Sequence, residues 1–223
     1  MTCGLMNNTA REAILGSIRS HLAASVPYDK QEVSHGFSRM NADQNPSSSV
    51  EICGQFKASL EAVDGHCAIV QGDDGIAKAL TQIIRGGHIA ISDNPEVERL
   101  LQLTDLEIEE LGIAPNAHDI FRFDVGISTV QAAIAETGTL VLDSTRERHR
   151  LVSLVPPVHI AIVRASQIYR TLGEVLSLIR KDKEISPAVT FITGPSRTAD
   201  IELTLAIGVH GPQELYVIID EVN

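Results

Sequence analysis

CAIVQGDDGIAKALTQIIRGGHIAISDNPEVERLL, residues 67–101, holds the pattern that decides the fold. Two short apolar runs, 67–70 and 88–91, bracket a stretch whose apolar residues Ile76, Leu80, Ile83 and Ile84 recur at helical spacing. Asp73 or Asp74 is expected to cap that helix, and Gly86-Gly87 to stop it. A second helix opens at Asn94-Pro95, with proline in its first turn, and carries Val97, Leu100 and Leu101. Short Val/Ile runs alternating with amphipathic helices belong to strands covered on both faces. The expectation is an α/β fold, a mostly parallel sheet with flanking helices.

The pattern extends in both directions. Toward the amino terminus a helix is predicted over 50–63. Farther out, Thr9 and Glu12 form a capping-box pair, and Ile14, Leu15, Ile18 and Leu22 share one helical face. This predicts an N-terminal helical arm within residues 1–26, ended by Pro27, that docks on its own domain or on another subunit of a homo-oligomer. Residues 27–49, with Gly36, Pro46 and three consecutive serines, show no periodicity and are expected to be a flexible linker or loop. The α/β domain then occupies 50–223.

Toward the carboxyl terminus Ser128 is expected to cap a short helix running through Ala135. Strands are expected at 139–142, 159–163, 189–193 and 214–219. Between them Ser166 heads a helix carrying Ile168, Leu172, Val175, Leu176 and Ile179. Strict alternation at Ile201, Leu203, Leu205, Ile207 and Val209 favours one more strand.

Composition excludes whole classes of function. In 223 residues there are 18 Lys and Arg against 29 Asp and Glu, a net charge of −11, which argues against binding nucleic acid or anionic lipid. No apolar run reaches the roughly 18 residues of a membrane span. No charged start followed by an apolar stretch suggests an export signal, so a cytoplasmic protein is expected. With aromatics at 4% and no Trp, the core must be aliphatic. Cys3, Cys53 and Cys67 are odd in number and dispersed, which suits reduced thiols and neither an iron–sulfur cluster nor a structural zinc site. The eight histidines include no pair at helical spacing, so no metal site is assigned and no cofactor is identified.

Three segments break regular structure beside apolar strands, where α/β proteins usually bind ligands. In the first, Ala135-Glu136-Thr137-Gly138-Thr139, a helix over 128–135 would leave the Glu136 carboxylate at the negative end of the dipole. There it would need a cation, or a raised pKa suited to proton transfer. The second runs Gly194-Pro195-Ser196-Arg197-Thr198-Ala199-Asp200. Its glycine permits close approach, its hydroxyls donate, and Arg197 can grip a carboxylate or phosphate. The alternative is a polar turn in which Arg197 pairs with Asp200 or Glu202. The third, Gly208-Val209-His210-Gly211-Pro212, offers His210 as an acid–base group or as a local hydrogen bonder. The cations Arg146, Arg148 and Arg150 could steer an anion or be a solvated loop, and His159 either faces the site or is a satisfied core histidine.

Taken together, AETGT at 135–139, SLVPPVH at 153–159, GPSRTADIE at 194–202 and GVHGP at 208–212 resemble the lactate utilisation protein C family, a branch of the LUD domain. The resemblance implies a NagB/RpiA/CoA-transferase-like fold. It also implies a cytoplasmic role in oxidation of L-lactate to pyruvate alongside two iron–sulfur partner proteins. The resemblance places these motif positions at one site, in which Glu136 is expected to be the acid–base or nucleophilic group with His210 assisting. Thr137, Gly138, Gly194, Ser196, Arg197, Thr198 and Asp200 would hold a small anionic ligand. A non-catalytic assembly or metabolite-sensing subunit is the alternative from another class, and a sugar-phosphate isomerase or CoA-transferase-like enzyme is a third.

Overall fold

A computed structural model describes residues 6–24, 49–112, 119–144, 150–181, 188–199, 205–207 and 211–222. The chain divides into two compact units, residues 1–45 and 46–223.

The first unit contributes one described element, helix α1 (Met6–Ala24). It starts three residues before Thr9, so Thr9 and Glu12 lie within it and do not mark its beginning. The expected linker over 27–48 falls outside the described residues.

The second unit is built on a six-stranded, wholly parallel sheet of β1 (His66–Val70), β2 (Gly87–Ile91), β3 (Ile108–Gly112), β4 (Val125–Thr129), β7 (Val158–Arg164) and β12 (Glu214–Asp220). The strand order is β1-β12-β7-β4-β2-β3. A second sheet, ordered β8-β5-β6-β9, contains β5 (Ala132–Ile134), β6 (Thr139–Asp143), β8 (Ile168–Tyr169) and β9 (Val189–Thr193). A short hairpin joins β10 (Arg197–Ala199) to β11 (Leu205–Ile207). The alternating residues predicted to form one strand over 201–209 are therefore represented by β11, the remainder lying outside the described residues.

Alternation along β7 sorts the layers. Ile160 and Ile162 point to one face, where Ile76, Leu80 and Ile84 of α3 (Gly72–Ile83) and its end, and Val97, Leu100 and Leu101 of α4 (Pro95–Leu101), complete an aliphatic core. Ala161 and Val163 point to the other, against Cys53, Phe56 and Leu60 of α2 (Ser49–Glu61) and Ala133, Leu140 and Leu142 of the smaller sheet. Full burial of Phe56 and Leu60 contributes about 1.5–3 kcal/mol each. Helix α5 (Leu172–Lys181) closes the far side of the smaller sheet through Val175, which packs on Ala132, Ile134 and Val141.

Helix starts follow distant contacts more than local ones. Asn94 caps α4 as expected, its Oδ1 accepting from Glu96 N–H at 3.0 Å. Neither Asp73 nor Asp74 caps α3. The N-cap is Gln71, the Gly72 N–H donates to Asp220 Oδ1 at 2.8 Å, and Asp73 pairs with Arg99 of α4. Ser166 does not begin α5 either, because Ile168 and Tyr169 are needed as β8 beside β5. Thr171 and Glu174 form the capping box instead, with Glu174 N–H to Thr171 Oγ1 at 3.3 Å and Thr171 N–H to Glu174 Oε2 at 3.2 Å.

The helix expected over 128–135 is absent. Ser128 and Thr129 end β4, and 132–134 are β5, which hydrogen-bonds to β6 on one side and β8 on the other. After β2 the chain turns to α4 on one face of the parallel sheet, and after β4 it turns to β5 on the opposite face. The carboxyl ends of these adjacent strands therefore open a crevice between diverging connections.

Candidate functional site

Removing the helix at 128–135 reverses the electrostatics of Glu136. The residue sits in the β5–β6 turn, and its Oε1 accepts the Leu172 N–H at 2.9 Å. It therefore lies at the amino end of α5, where the dipole stabilises a carboxylate. Its own carbonyl accepts from Ser59 Oγ at 3.4 Å.

A chain of hydroxyls links this turn to the second segment. Thr137 Oγ1 and Thr139 Oγ1 are 2.7 Å apart, as are Thr139 Oγ1 and Thr193 Oγ1, because Thr139 and Thr193 are register partners in β6 and β9. The third segment joins through the backbone, Ser196 N–H donating to Pro212 O at 2.8 Å. Segments remote in sequence are thus neighbours at one end of the smaller sheet.

The concavity they form is a groove of about 580 Å³ lined by Thr193, Gly194, Ser196, Arg197, Gly211 and Pro212, among others, with Val63 and Leu154 as its apolar side. Glu136, Thr137 and Gly138 are not among its lining residues. Arg197 forms an ion pair with Asp64, a positive-φ residue between α2 and β1; the partners proposed from sequence, Asp200 and Glu202, lie outside the described residues. Thr198 lies in β10, whereas Asp200 and His210 fall outside the described residues, as do Arg146 and Arg148.

The two glycines have a packing role. Gly138 has φ +63°, and a Cβ there would stand 2.4 Å from Leu60 N; Gly194 has φ +75°, and its Cβ would stand 2.6 Å from Val63 O. Both let the turns of the smaller sheet press against the carboxyl end of α2. Gly138→Ala is therefore expected to cost about 2 kcal/mol, read as a lower urea midpoint at unchanged slope.

His159 and Ser128 form a second pair, Nε2 to Oγ at 2.9 Å. The geometry is that of a base and nucleophile, but both residues are buried, and desolvation pushes His159 down to about 3. Nδ1 has no hydrogen-bond partner among the described residues, and no acid among them orients the ring. This is a core histidine with one satisfied nitrogen. The two described thiols are equally unsuited to chemistry: burial raises Cys53 and pushes Cys67 up to about 12.

The sequence profile of the LUD domain matches residues 53–219, which spans both sheets and all three segments. The chain belongs to the LUD domain family. A lactate utilization protein C of Macrococcus caseolyticus is 32% identical over 188 residues, covering 73% of this chain and 78% of that protein. Its counterpart in Geobacillus thermodenitrificans is 27% identical across 99% of this chain and 100% of that protein. Among solved structures, a DUF162 family protein from Deinococcus radiodurans superposes with a TM-score of 0.59 at 27% identity, over 79% of this chain and all of that one. The LUD domain thus carries the groove within its matched region. Among the described residues no helix is long and apolar enough to cross a membrane.

Sequence reading missed one polar site of this LUD domain. The crevice between the diverging connections holds about 200 Å³ and is lined by Asn94, Glu96, Thr129, Val130, Gln131, Ile162, Arg164 and Gln167. Its residues come from three separate stretches, 94–96, 129–131 and 162–167. Asn94 reads as a helix cap, and Thr129 and Gln131 lie within the supposed helix. The usable signal was positional, since polar residues follow directly on the strands 88–91 and 159–163 predicted from sequence.

Proposed function

We propose that this LUD domain serves L-lactate utilisation in the cytoplasm, binding a small anionic ligand in the groove of Gly194, Ser196 and Arg197. The observation that carries the reading is the Ser196–Pro212 backbone bond, which brings two of the motif segments to one groove beside a guanidinium. Arg197 would exchange Asp64 for the ligand's carboxylate or phosphate, with hydroxyls and backbone N–H groups of 193–197 adding hydrogen bonds. Glu136 and His210 remain the proposed acid–base groups, Glu136 reaching the ligand only by leaving the α5 amino end. Oxidation of a hydroxy acid to a keto acid releases two electrons. Three dispersed cysteines cannot house a cluster to take them, so iron–sulfur partner proteins would do so.

Arg197→Ala is expected to abolish growth on L-lactate while growth on pyruvate and the circular dichroism spectrum stay as in the wild type. Asp64→Asn keeps the cation, breaks the pair and should preserve growth. Undiminished growth of the Arg197→Ala strain on lactate would remove the groove from the pathway.

A second reading is a non-catalytic assembly subunit. It rests on the structural bonds that engage Glu136 at the start of α5 and Arg197 at Asp64. Co-purification of the iron–sulfur proteins with the Glu136→Gln/Arg197→Ala double variant, at full pathway activity, would select it over the first.

A further inference from the structure

The crevice at the carboxyl ends of β2, β4 and β7 has a feature that ordinary loop packing does not require. It is ringed by three carboxamides, and each spends its oxygen on a backbone N–H. Asn94 Oδ1 accepts from Glu96 N–H at 3.0 Å, Gln131 Oε1 from Asp143 N–H at 2.6 Å, and Gln167 Oε1 from Arg164 N–H at 2.9 Å. A backbone N–H can only donate, so the orientation of all three amides is settled and each leaves its NH₂ to the other side. Asn94 uses one hydrogen on Thr129 Oγ1 at 3.0 Å, and Gln167 uses one on Val130 O at 2.6 Å. Gln131 Nε2 has no acceptor among the described residues.

Arg164 stands with them. Its Nη2 donates to both oxygens of Glu96, at 2.7 and 2.8 Å, while Nε and Nη1 make no hydrogen bond among the described residues. The result is a ring with a surplus of N–H donors and a single carboxylate, Glu96, as its strong acceptor. A carboxylate satisfies such donors two at a time, and a hydroxyl or ammonium on the adjacent carbon would meet Glu96.

We propose that this crevice is a second ligand site, taking a small carboxylate that bears a donor on its α-carbon, a 2-hydroxy or 2-amino acid. About 200 Å³ accommodates a molecule of this class, and the site lies where the connections after neighbouring parallel strands part to opposite faces. The proposal is independent of the groove at Arg197.

Titration of ¹⁵N-labelled protein with L-lactate, L-alanine, acetate and inorganic phosphate tests it. L-lactate or L-alanine is expected to move the side-chain NH₂ resonances of Asn94, Gln131 and Gln167, with acetate and phosphate binding more weakly. The stronger of the first two distinguishes a hydroxy-acid from an amino-acid site. Arg164→Ala should weaken binding about tenfold or more, and Arg197→Ala should leave it unchanged. Glu96→Gln, which keeps the guanidinium and the helix, should erase the preference for L-lactate or L-alanine over acetate, an effect that loss of a structural ion pair would not produce. Absence of shifts at the three amides, or binding that Arg197→Ala abolishes and Arg164→Ala spares, would overturn the site. The second result would place the ligand in the groove.

Discussion

Gly126→Ala is expected to cost about 3 kcal/mol or more, a large share of the usual stability of roughly 5–15 kcal/mol and a rise of about a hundredfold or more in the unfolded population. Gly126 is the second residue of β4, whose five residues are all buried, with β2 on one side and β7 on the other. A Cβ there would stand 1.9 Å from Val152 O, 3.0 Å from Val152 C and 3.1 Å from Pro156 Cγ. The obstacle is mainly backbone, and it cannot retreat easily. Val152 is buried among Ala90, Ile120 and Phe123, and the turn that carries it is tied by Ser153 Oγ to Arg150 O at 3.0 Å. The strand cannot retreat either without breaking two parallel ladders. Gly54→Ala is the matched control. Gly54 lies exposed in α2 with nothing within 4 Å of the added carbon, so the same chemical change should stabilise by about 1 kcal/mol through helix propensity. Urea unfolding of the two variants would refute the packing argument if Gly126→Ala fell within about 0.5 kcal/mol of wild type.

The accuracy of the sequence reading follows the physics of burial. The runs at 67–70, 88–91, 159–163 and 214–219 could be recognised because strands of a parallel sheet are covered on both faces and read as continuous apolar stretches. The same property hid β5. Ala133 packs toward the central core while Ala132 and Ile134 pack toward α5, so both faces are buried and no alternation survives. What remains, an alanine-rich stretch after a serine, matches a capped helix equally well. That single ambiguity carried the charge argument for Glu136 to the wrong sign. At the start of α5 the apolar spacing that includes Ile168 outweighed the capping box of Thr171 and Glu174, although the box was present in the sequence. Only tertiary pairing of 168–169 with β5 removes Ile168 from the helix.

The candidate site divides in the same way. Glycines, a proline and an arginine at 194–197 and 211–212 advertise a break in structure, and those segments do adjoin. The reason for Gly138 and Gly194 was not readable, since it lies in the backbone at and just past the end of α2, about 80 to 130 positions away in the chain. The donor ring was unreadable for a different reason. Whether Asn94, Gln131 or Gln167 shows a ligand its oxygen or its NH₂ depends on which backbone N–H each one meets, and that is a property of the fold alone.

His159 makes the protein acid-sensitive in a predictable window. An unfolded chain takes up a proton on this histidine near pH 6.5, whereas desolvation holds the folded group down to about 3. Between those values the unfolded state binds one more proton than the folded state. Stability therefore falls as pH falls, by about 1.4 kcal/mol per unit from this residue alone, or about 2 kcal/mol between pH 6.5 and 5. The stabilising arrangement is the neutral ring, fully present above pH 6.5. Burial is the cause of the shift, and no charge among the described residues offsets it. The neutral tautomer that places N–H on Nε2, donating to Ser128 Oγ, leaves Nδ1 as an unpaired acceptor, which costs less than an unpaired buried N–H. His159→Leu removes both the titration and that orphan acceptor. Its stability near neutrality need not exceed that of the wild type, because Ser128 loses its partner, but its dependence on pH should be shallower. Urea midpoints measured for both proteins at half-unit intervals from pH 7 to 5 should diverge steadily on acidification, in favour of the variant. Parallel curves would show that the folded protein accepts the proton at His159, and hence that the ring is reached by solvent.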